Sequence, residues 1–212
     1  MPVMAWVTVS AALAVVHIRI SFRIMDDISR EVASSQLRYT TWWYVFSAVI
    51  GVVTAGRVLT SSNTRNDLLC VAITSLLLLQ TPLDVTTRRL SRPVTLVALA
   101  AVVSVISVDF VLHGRASADI FIFLLSLATF GAYWLTHWTS PASLGWGDVL
   151  IVLPLSLALS AVEKNALLTW QLLSAVFGMT HVVASRYWRS TSTIPFGPHL
   201  LGAAWLVMVF SL

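Results

Sequence analysis

The stretch Leu144-Gly145-Trp146-Gly147-Asp148-Val149-Leu150 places a carboxylate at the start of an apolar run that continues to Val162. The two glycines before the aspartate allow another backbone to come close to it. A charged side chain at the mouth of a hydrophobic helix is costly unless a partner or water stabilises it. The stretch therefore predicts an apolar helix that carries a functional carboxylate at its N-terminal end.

The composition is that of an integral membrane protein. Of the 212 residues, 58% are hydrophobic and 10% are charged, whereas a soluble domain has about 25% charged residues. We therefore predict an all-α integral membrane protein, a polytopic bundle of about seven to eight transmembrane helices. No basic stripe with interleaved aromatic residues is present, so no nucleic-acid partner is expected. The single cysteine, Cys70, excludes an internal disulfide and a zinc site of the CxxC type.

Apolar runs divide the chain into eight predicted spans. The first, within residues 3–18, is short, but its start lacks the basic residues of a signal peptide, so we interpret it as a retained span. A polar connector at residues 19–40 follows it. The remaining spans are predicted at about residues 41–59, 67–83, 94–112, 119–135, 148–162, 166–184 and 194–212.

The basic residues give these spans an orientation. Nine of the 13 basic residues lie at alternate ends of the spans and four lie at the opposite ends. By the positive-inside rule, the ends with nine are cytoplasmic. The loop after Asp84 and the stretch from Gly145 to Asp148 both belong to that face. The nine residues are Arg19, Arg23, Arg30, Arg38, Arg88, Arg89, Arg92, Arg186 and Arg189.

Asp84 is the expected partner of Asp148. It is predicted to close the third span, where a carboxylate opposes the helix dipole, and the start of the sixth span can approach that end in a bundle. Two carboxyls that share a site do not both ionise cheaply, so such a pair holds one proton over a wide pH range. In aspartic proteolysis the carboxylate activates a water, and the neutral acid polarises the scissile carbonyl and protonates the leaving amine.

Each aspartate also has a simpler explanation. Asp148 follows Gly147 in a context suited to helix capping. Arg88 or Arg89 could offset the charge of Asp84.

Other ionisable residues are given no place in the pair. Asp109 lies near the opposite end of the fourth span. His181 and His199 could line the site, but a packing role is favoured. The five histidines have no ligand spacing, so neither a metal nor another cofactor is expected.

Three segments, in this order along the chain, resemble those of the type IV prepilin peptidases, the GxGD aspartic proteases of the membrane. The first is Asp84-Val85-Thr86-Thr87-Arg88-Arg89-Leu90, followed by Pro93 and Thr95. The second is Gly145-Trp146-Gly147-Asp148, and the third is Ile194-Pro195-Phe196-Gly197-Pro198. The resemblance covers roughly residues 68–212. It divides a single membrane domain into N-terminal spans with a cytoplasmic connector, residues 1–66, and a peptidase core, residues 67–212.

The resemblance implies a membrane aspartic endopeptidase with Asp84 and Asp148 as its catalytic residues. The substrate would be a prepilin or pseudopilin, cut between a short basic leader and a hydrophobic helix at the cytoplasmic face of the bacterial plasma membrane. The lipid bilayer is the other implied partner. Because paired CxxC ligands are missing, the resemblance implies a short form without the zinc and N-methyltransferase domain. The residues implied to shape the site or bind substrate are Gly145, Gly147, Pro195, Phe196, Gly197 and Pro198.

Two positions depart from the family's pattern. Ser91 follows Leu90 where the family has proline, which is displaced here to Pro93. Leu150 stands two residues after the second aspartate, where the family has lysine. Both aspartates are intact, so activity is expected.

Two other functions are compatible with the pair of aspartates. A small transporter could use them as a proton or cation site, although both lie at helix ends and no inverted repeat is evident. An inactive subunit of a pilus-assembly machine is suggested by the departures at Ser91 and Leu150.

Overall fold

The computed structural model describes residues 37–87, 90–113, 116–140, 144–163, 165–187 and 196–210. Within these ranges the chain is all-helical, with no strand, so the all-α prediction is confirmed for this part of the protein. The predicted first span and residues 19–36 of the connector lie outside it. The helices are α1 (Leu37–Thr60), α2 (Thr64–Thr87), α3 (Arg92–His113), α4 (Ala116–Thr139), α5 (Trp146–Val162), α6 (Ala166–Tyr187) and α7 (Gly197–Phe210).

Four of these helices, α2, α3, α4 and α6, are long and apolar enough to cross a membrane. Helices α5 and α7 are also apolar but have only 17 and 14 residues. At 1.5 Å per residue they extend for about 25 Å and 21 Å, less than the roughly 30 Å of a bilayer core. The four long helices are those expected of a membrane protein.

The three helices α2, α5 and α7 contact one another and form the centre of the bundle. The two short helices, α5 and α7, are buried along most of their length, so their apolar side chains mainly contact protein. Helix α3 packs on α2 and α5, α6 packs on α5 and α7, and α1 packs on α2. Helix α4 packs mainly on α5 and is largely exposed. Most of its exposed side chains are apolar, which is the surface that a lipid environment accommodates.

Buried polar contacts fix how the central helices are placed. The fully buried indole of Trp170 in α6 donates a hydrogen bond to the Leu200 carbonyl of α7 at 2.8 Å. The Trp205 indole of α7 donates to Thr54 of α1 at 3.0 Å. The Thr54 hydroxyl in turn contacts that of Thr74 in α2 at 3.1 Å. These bonds satisfy polar groups that burial would otherwise leave unpaired.

Several helix ends differ from those predicted. Helix α2 continues through Asp84 to Thr87, so the prediction that Asp84 closes this helix is wrong by about one turn. Pro82 lies inside the helix and removes only one backbone donor, because its own N–H is missing. Helix α1 begins at Leu37, within the predicted polar connector. The described part of the last helix begins at Gly197, and Ile194 and Pro195 lie outside the described residues.

An ion pair joins three helices at the end of the bundle where α2 begins. Arg65 of α2 contacts the Asp109 carboxylate of α3 at 2.9 Å and donates to the Ala161 carbonyl of α5 at 2.6 Å. Asp109 also contacts His113 at 2.9 Å. Because Asp109 is 8% exposed, its charge depends on these partners.

We expect Arg65→Ala to lower the free energy of unfolding by about 3 kcal/mol, because it leaves the buried Asp109 carboxylate without its main partner. The measurement is an unfolding titration of the purified protein in detergent, followed by circular dichroism. The double variant Arg65→Met with Asp109→Leu removes both charges and should recover most of this loss. An Arg65→Ala protein as stable as the wild type would contradict the role given to the pair.

Candidate active site

Asp84 lies in the last turn of α2 and is only 5% exposed. The carbonyl groups at a helix C-terminus repel a negative charge, so α2 itself disfavours the ionised side chain. Within α2 the neighbouring residues are apolar or uncharged. Stabilisation of this carboxyl must therefore come from other segments.

The N-terminus of α7 supplies that stabilisation. The His199 and Leu200 amides both donate to the Phe196 carbonyl, so Phe196 caps the helix and Gly197 is its first residue. Gly197 lies against the Asp84 carboxyl, close enough for its backbone N–H to favour the ionised form. The positive end of α7 thus faces the carboxyl that the negative end of α2 disfavours.

Only glycine fits at position 197. A Cβ added there would lie 2.6 Å from Oδ2 of Asp84 and 3.2 Å from a methyl group of Leu90. The first distance is well inside van der Waals contact, so any side chain would displace the carboxyl or the helix. The glycine of the Phe-Gly-Pro sequence is therefore explained by close approach of backbone to Asp84. Pro198 follows in the first turn, where its missing N–H has no intrahelical partner to lose.

Asp148 lies in the first turn of α5. The helix is capped by Gly145, which has extended backbone angles, and Asp148 is the third helical residue. Its carboxyl accepts a hydrogen bond from the Gly145 N–H, which is the return half of a capping box. Because Gly145 is the N-cap residue, the prediction that Asp148 itself caps the helix is wrong. The Asp148 side chain is partly exposed and retains acceptor capacity.

The two aspartates line one cavity of about 400 Å³. The charge of Asp84 acts on the Asp148 carboxyl, so the structure brings together the pair that the sequence predicted. The cavity lies where α2 ends and α3 and α5 begin. Its lining consists of Asp84, Leu90, Arg92, Gly145, Trp146, Gly147 and Asp148.

Leu90 separates the two helix starts. A Cβ at Gly147 would lie 3.0 Å from the Cβ of Leu90. A Cβ at Gly197 would lie 3.2 Å from a terminal methyl group of the same leucine. The missing side chains at Gly147 and Gly197 let α5 and α7 both close onto Leu90. This packing brings Asp148 and Asp84 to a common cavity.

Gln80 fixes the chain between α2 and α3. Its side-chain amide donates to the Ser91 carbonyl at 2.8 Å, and its carbonyl accepts from the Ser91 N–H at 2.8 Å. Gln80 is fully buried and also donates to Thr95 at 2.9 Å. Because Gln80 and Asp84 are four residues apart, they lie on the same helix face. Sequence reasoning missed Gln80, although it is the one amide that follows four consecutive leucines.

His137 fixes the segment before Asp148. Its Nδ1–H donates to the Leu144 carbonyl at 2.7 Å, and its ring lies 5.4 Å from the Trp146 ring. The end of α4 thus holds both sides of Gly145. Sequence reasoning did not single out His137 because the residues it contacts are seven and nine positions away, across a turn.

The remaining predicted residues lie either outside the carboxyl cavity or outside the described residues. Phe196 borders a neighbouring apolar groove and does not line the carboxyl cavity. Leu150, a departure from the family pattern, is half-buried outside the cavity lining. Pro195, Arg88 and Arg89 lie outside the described residues, so the counter-charge suggested for Asp84 is not placed.

The histidines predicted to pack form a pair. Nδ1 of His181 lies 2.9 Å from Nε2 of His199, with the two rings nearly perpendicular. His199 borders the same apolar groove as Phe196. Across the described ranges, no three His, Cys, Asp or Glu side chains are grouped to hold a metal ion.

The chain was also compared with known proteins. No protein-family model, curated protein or solved structure matches it.

Proposed function

We propose that the chain is a membrane aspartic endopeptidase that cleaves the leader peptide of type IV prepilin-like substrates. The observation that carries this proposal is the shared cavity of Asp84 and Asp148, two carboxyls from distant parts of the sequence. Each is the acidic residue of a segment that resembles the prepilin peptidases. Shared carboxyls at the ends of apolar helices are unusual unless they do chemistry.

The proposed reaction uses one proton held between the two carboxyls. The ionised member removes a proton from a water in the cavity, and the resulting hydroxide attacks the scissile carbonyl carbon. The neutral member hydrogen-bonds to the carbonyl oxygen and then gives its proton to the leaving amine as the C–N bond breaks. The products are a free leader carboxylate and a new N-terminus on the mature substrate.

The surroundings of the pair suit this chemistry. The helix starts at Gly145 and Gly197 direct backbone N–H groups at the two carboxyls, which stabilises negative charge without reorganisation. Oδ2 of Asp84 is buried and has no hydrogen bond of standard geometry within the described ranges, which leaves it available to a water or to the substrate. Gly145 and Gly147 line the cavity beside Asp148, where the substrate backbone would pass.

The proposed membrane placement follows from the helices and the charges. Four helices long enough to cross a bilayer support a multi-pass arrangement, which we take as seven to eight spans. The excess of arginine on the side of the cavity supports a cytoplasmic active site in the bacterial plasma membrane. Substrate leaders would then meet the cavity at the cytoplasmic face.

The departures from the family pattern do not weaken the proposal. Ser91 is held by two hydrogen bonds to Gln80, so the residue before α3 has a fixed position without a proline there. Leu150 lies outside the cavity lining, so a leucine at this position leaves the two carboxyls in contact with the same cavity. These placements support an active enzyme over an inactive assembly subunit.

We expect Asp84→Asn and Asp148→Asn each to reduce leader cleavage by roughly 10³-fold or more, because either change removes one half of a unit that acts together. Asparagine keeps the size of the side chain. The assay follows the mass shift of co-expressed prepilin-like substrates with a short basic leader before an apolar helix.

Glu163→Gln is the matched control, because it neutralises an exposed carboxyl at the opposite end of α5. It should leave cleavage unchanged, and all three variants should accumulate like the wild type. Normal cleavage by either aspartate variant would refute the shared-proton mechanism. A wild-type protein that cuts none of these substrates but moves protons across liposomes would replace the proposal with the transporter alternative.

We expect Gly197→Ala to reduce cleavage by about 100-fold, because the new Cβ meets Oδ2 of Asp84 at 2.6 Å and a displacement of about 1 Å can cost that factor. Gly202→Ala on the same helix is the control, since its Cβ would meet no atom within 4 Å. That variant should cleave normally. Equal activities of the two alanine variants would show that the close approach at Gly197 is unimportant for the reaction.

A further inference from the structure

A second cavity, of about 740 Å³, lies beside the carboxyl cavity and forms an apolar groove between α4 and α6. Its walls include Ala132 and Tyr133 of α4, Ala175 and Gly178 of α6, and the helix-start residues Leu144 and Phe196. We call this surface the α4–α6 groove. It contains few polar atoms, unlike the carboxyl cavity.

The α4–α6 groove is shaped to take an apolar helix. The small residues Ala132, Ala175 and Gly178 allow a helix backbone to approach closely, as small residues do between membrane helices. On the outer edge, Met179 and Val183 of α6 are 69% and 66% exposed. At 1.5 Å per residue, the α6 wall from Ala175 to Val183 extends for about 12 Å, or about two helical turns.

One end of the groove is closed by a polar contact. The Tyr133 hydroxyl of α4 donates a hydrogen bond to the Gln171 side chain of α6 at 2.7 Å. This bond joins the two walls at the level of Gln171. The groove, which an occupying helix would enter from the cavity side, therefore ends near this bond.

The other end of the groove adjoins the carboxyl cavity. Leu144 borders the groove and the next residue, Gly145, borders the carboxyl cavity. Phe196 likewise borders the groove, and Gly197 contacts Asp84. The groove is therefore the neighbouring surface for a chain that crosses the two aspartates.

We propose that the α4–α6 groove binds the first two turns of the apolar helix of the substrate, immediately after the scissile bond. This inference rests on the proposed function. The choice of occupant follows from position and polarity: the segment next to the cut bond must leave the carboxyl cavity, and the adjoining apolar groove matches the substrate's helix and not its basic leader. The groove therefore selects substrates by the apolar segment that follows the cleavage point.

The first test compares two tryptophan variants on α6. Met179→Trp fills the groove, whereas Leu172→Trp adds the same bulk at a residue equally exposed, at 70%, outside the groove lining. Each is assayed on a membrane-inserted reporter with a short basic leader and an apolar helix of about 20 residues, and on a peptide that ends just after the scissile bond. Met179→Trp should raise the KM for the reporter at least tenfold and leave the KM for the short peptide unchanged. Leu172→Trp should leave both KM values unchanged.

The second test detects occupancy without requiring cleavage. Met179→Cys or Leu172→Cys is placed in the Asp148→Asn protein, and the reporter carries one cysteine in the second turn of its helix. The native Cys70 is buried. A disulfide should form with Met179→Cys and not with Leu172→Cys.

The outcomes separate the two proposals. If the wild type cuts the reporter but Met179→Trp behaves like Leu172→Trp, the groove inference is wrong and the proposed function stands. If the wild type cuts nothing, the proposed function fails, and the disulfide test still decides the groove. Equal cross-linking at both positions, which indicates lipid exposure, overturns the inference. The inference is also overturned if the predicted first span occupies the groove. In that case a disulfide forms between Met179→Cys and Val9→Cys of the same chain and persists when the reporter is present.

Discussion

The arrangement depends on one electrostatic constraint, the buried Asp84 carboxyl at the unfavourable end of α2. A carboxylate in the last turn of an apolar helix needs positive potential from elsewhere, and the start of α7 provides it through the Gly197 N–H. The contact requires a residue without a Cβ, and it brings the end of α2 and the start of α7 together. Leu90 packs beside this contact, and the start of α5 packs against Leu90 at Gly147. Asp148 reaches the same cavity as a consequence.

Polar residues around this centre hold segments whose ends would otherwise be free to shift. Gln80 supplies both a donor and an acceptor to Ser91, and His137 binds the carbonyl that precedes Gly145. Neither residue lines the carboxyl cavity. The same division applies at the opposite end of the bundle, where Arg65 joins α2, α3 and α5. The contacts of Arg65 lie far from the carboxyl cavity, so the packing of these helices can be tested there without changing the site.

The apolar character of the helices and the pairing of two aspartates could be predicted because both follow from the local composition of the chain. Runs of about 20 apolar residues identify long helices, and the spacing of charged residues indicates which helix ends lie together. The continuation of α2 past Asp84 could not be predicted, because Asp84 is stabilised by α7 and the helix therefore has no reason to stop there. Gln80 and His137 were missed for a related reason: their partners are backbone groups of other segments, and a hydropathy pattern contains no information about such partners.

The sequence by itself determined an all-α chain of apolar helices with Asp84 and Asp148 at helix ends, since hydropathy and charge act residue by residue. Only the tertiary structure determined the close approach of Gly197 to Asp84, the position of Leu90 against the starts of α5 and α7, and the apolar groove beside the carboxyls. These features arise from contacts between segments far apart in the chain. Close packing permits such contacts only where the shapes of the facing helices match.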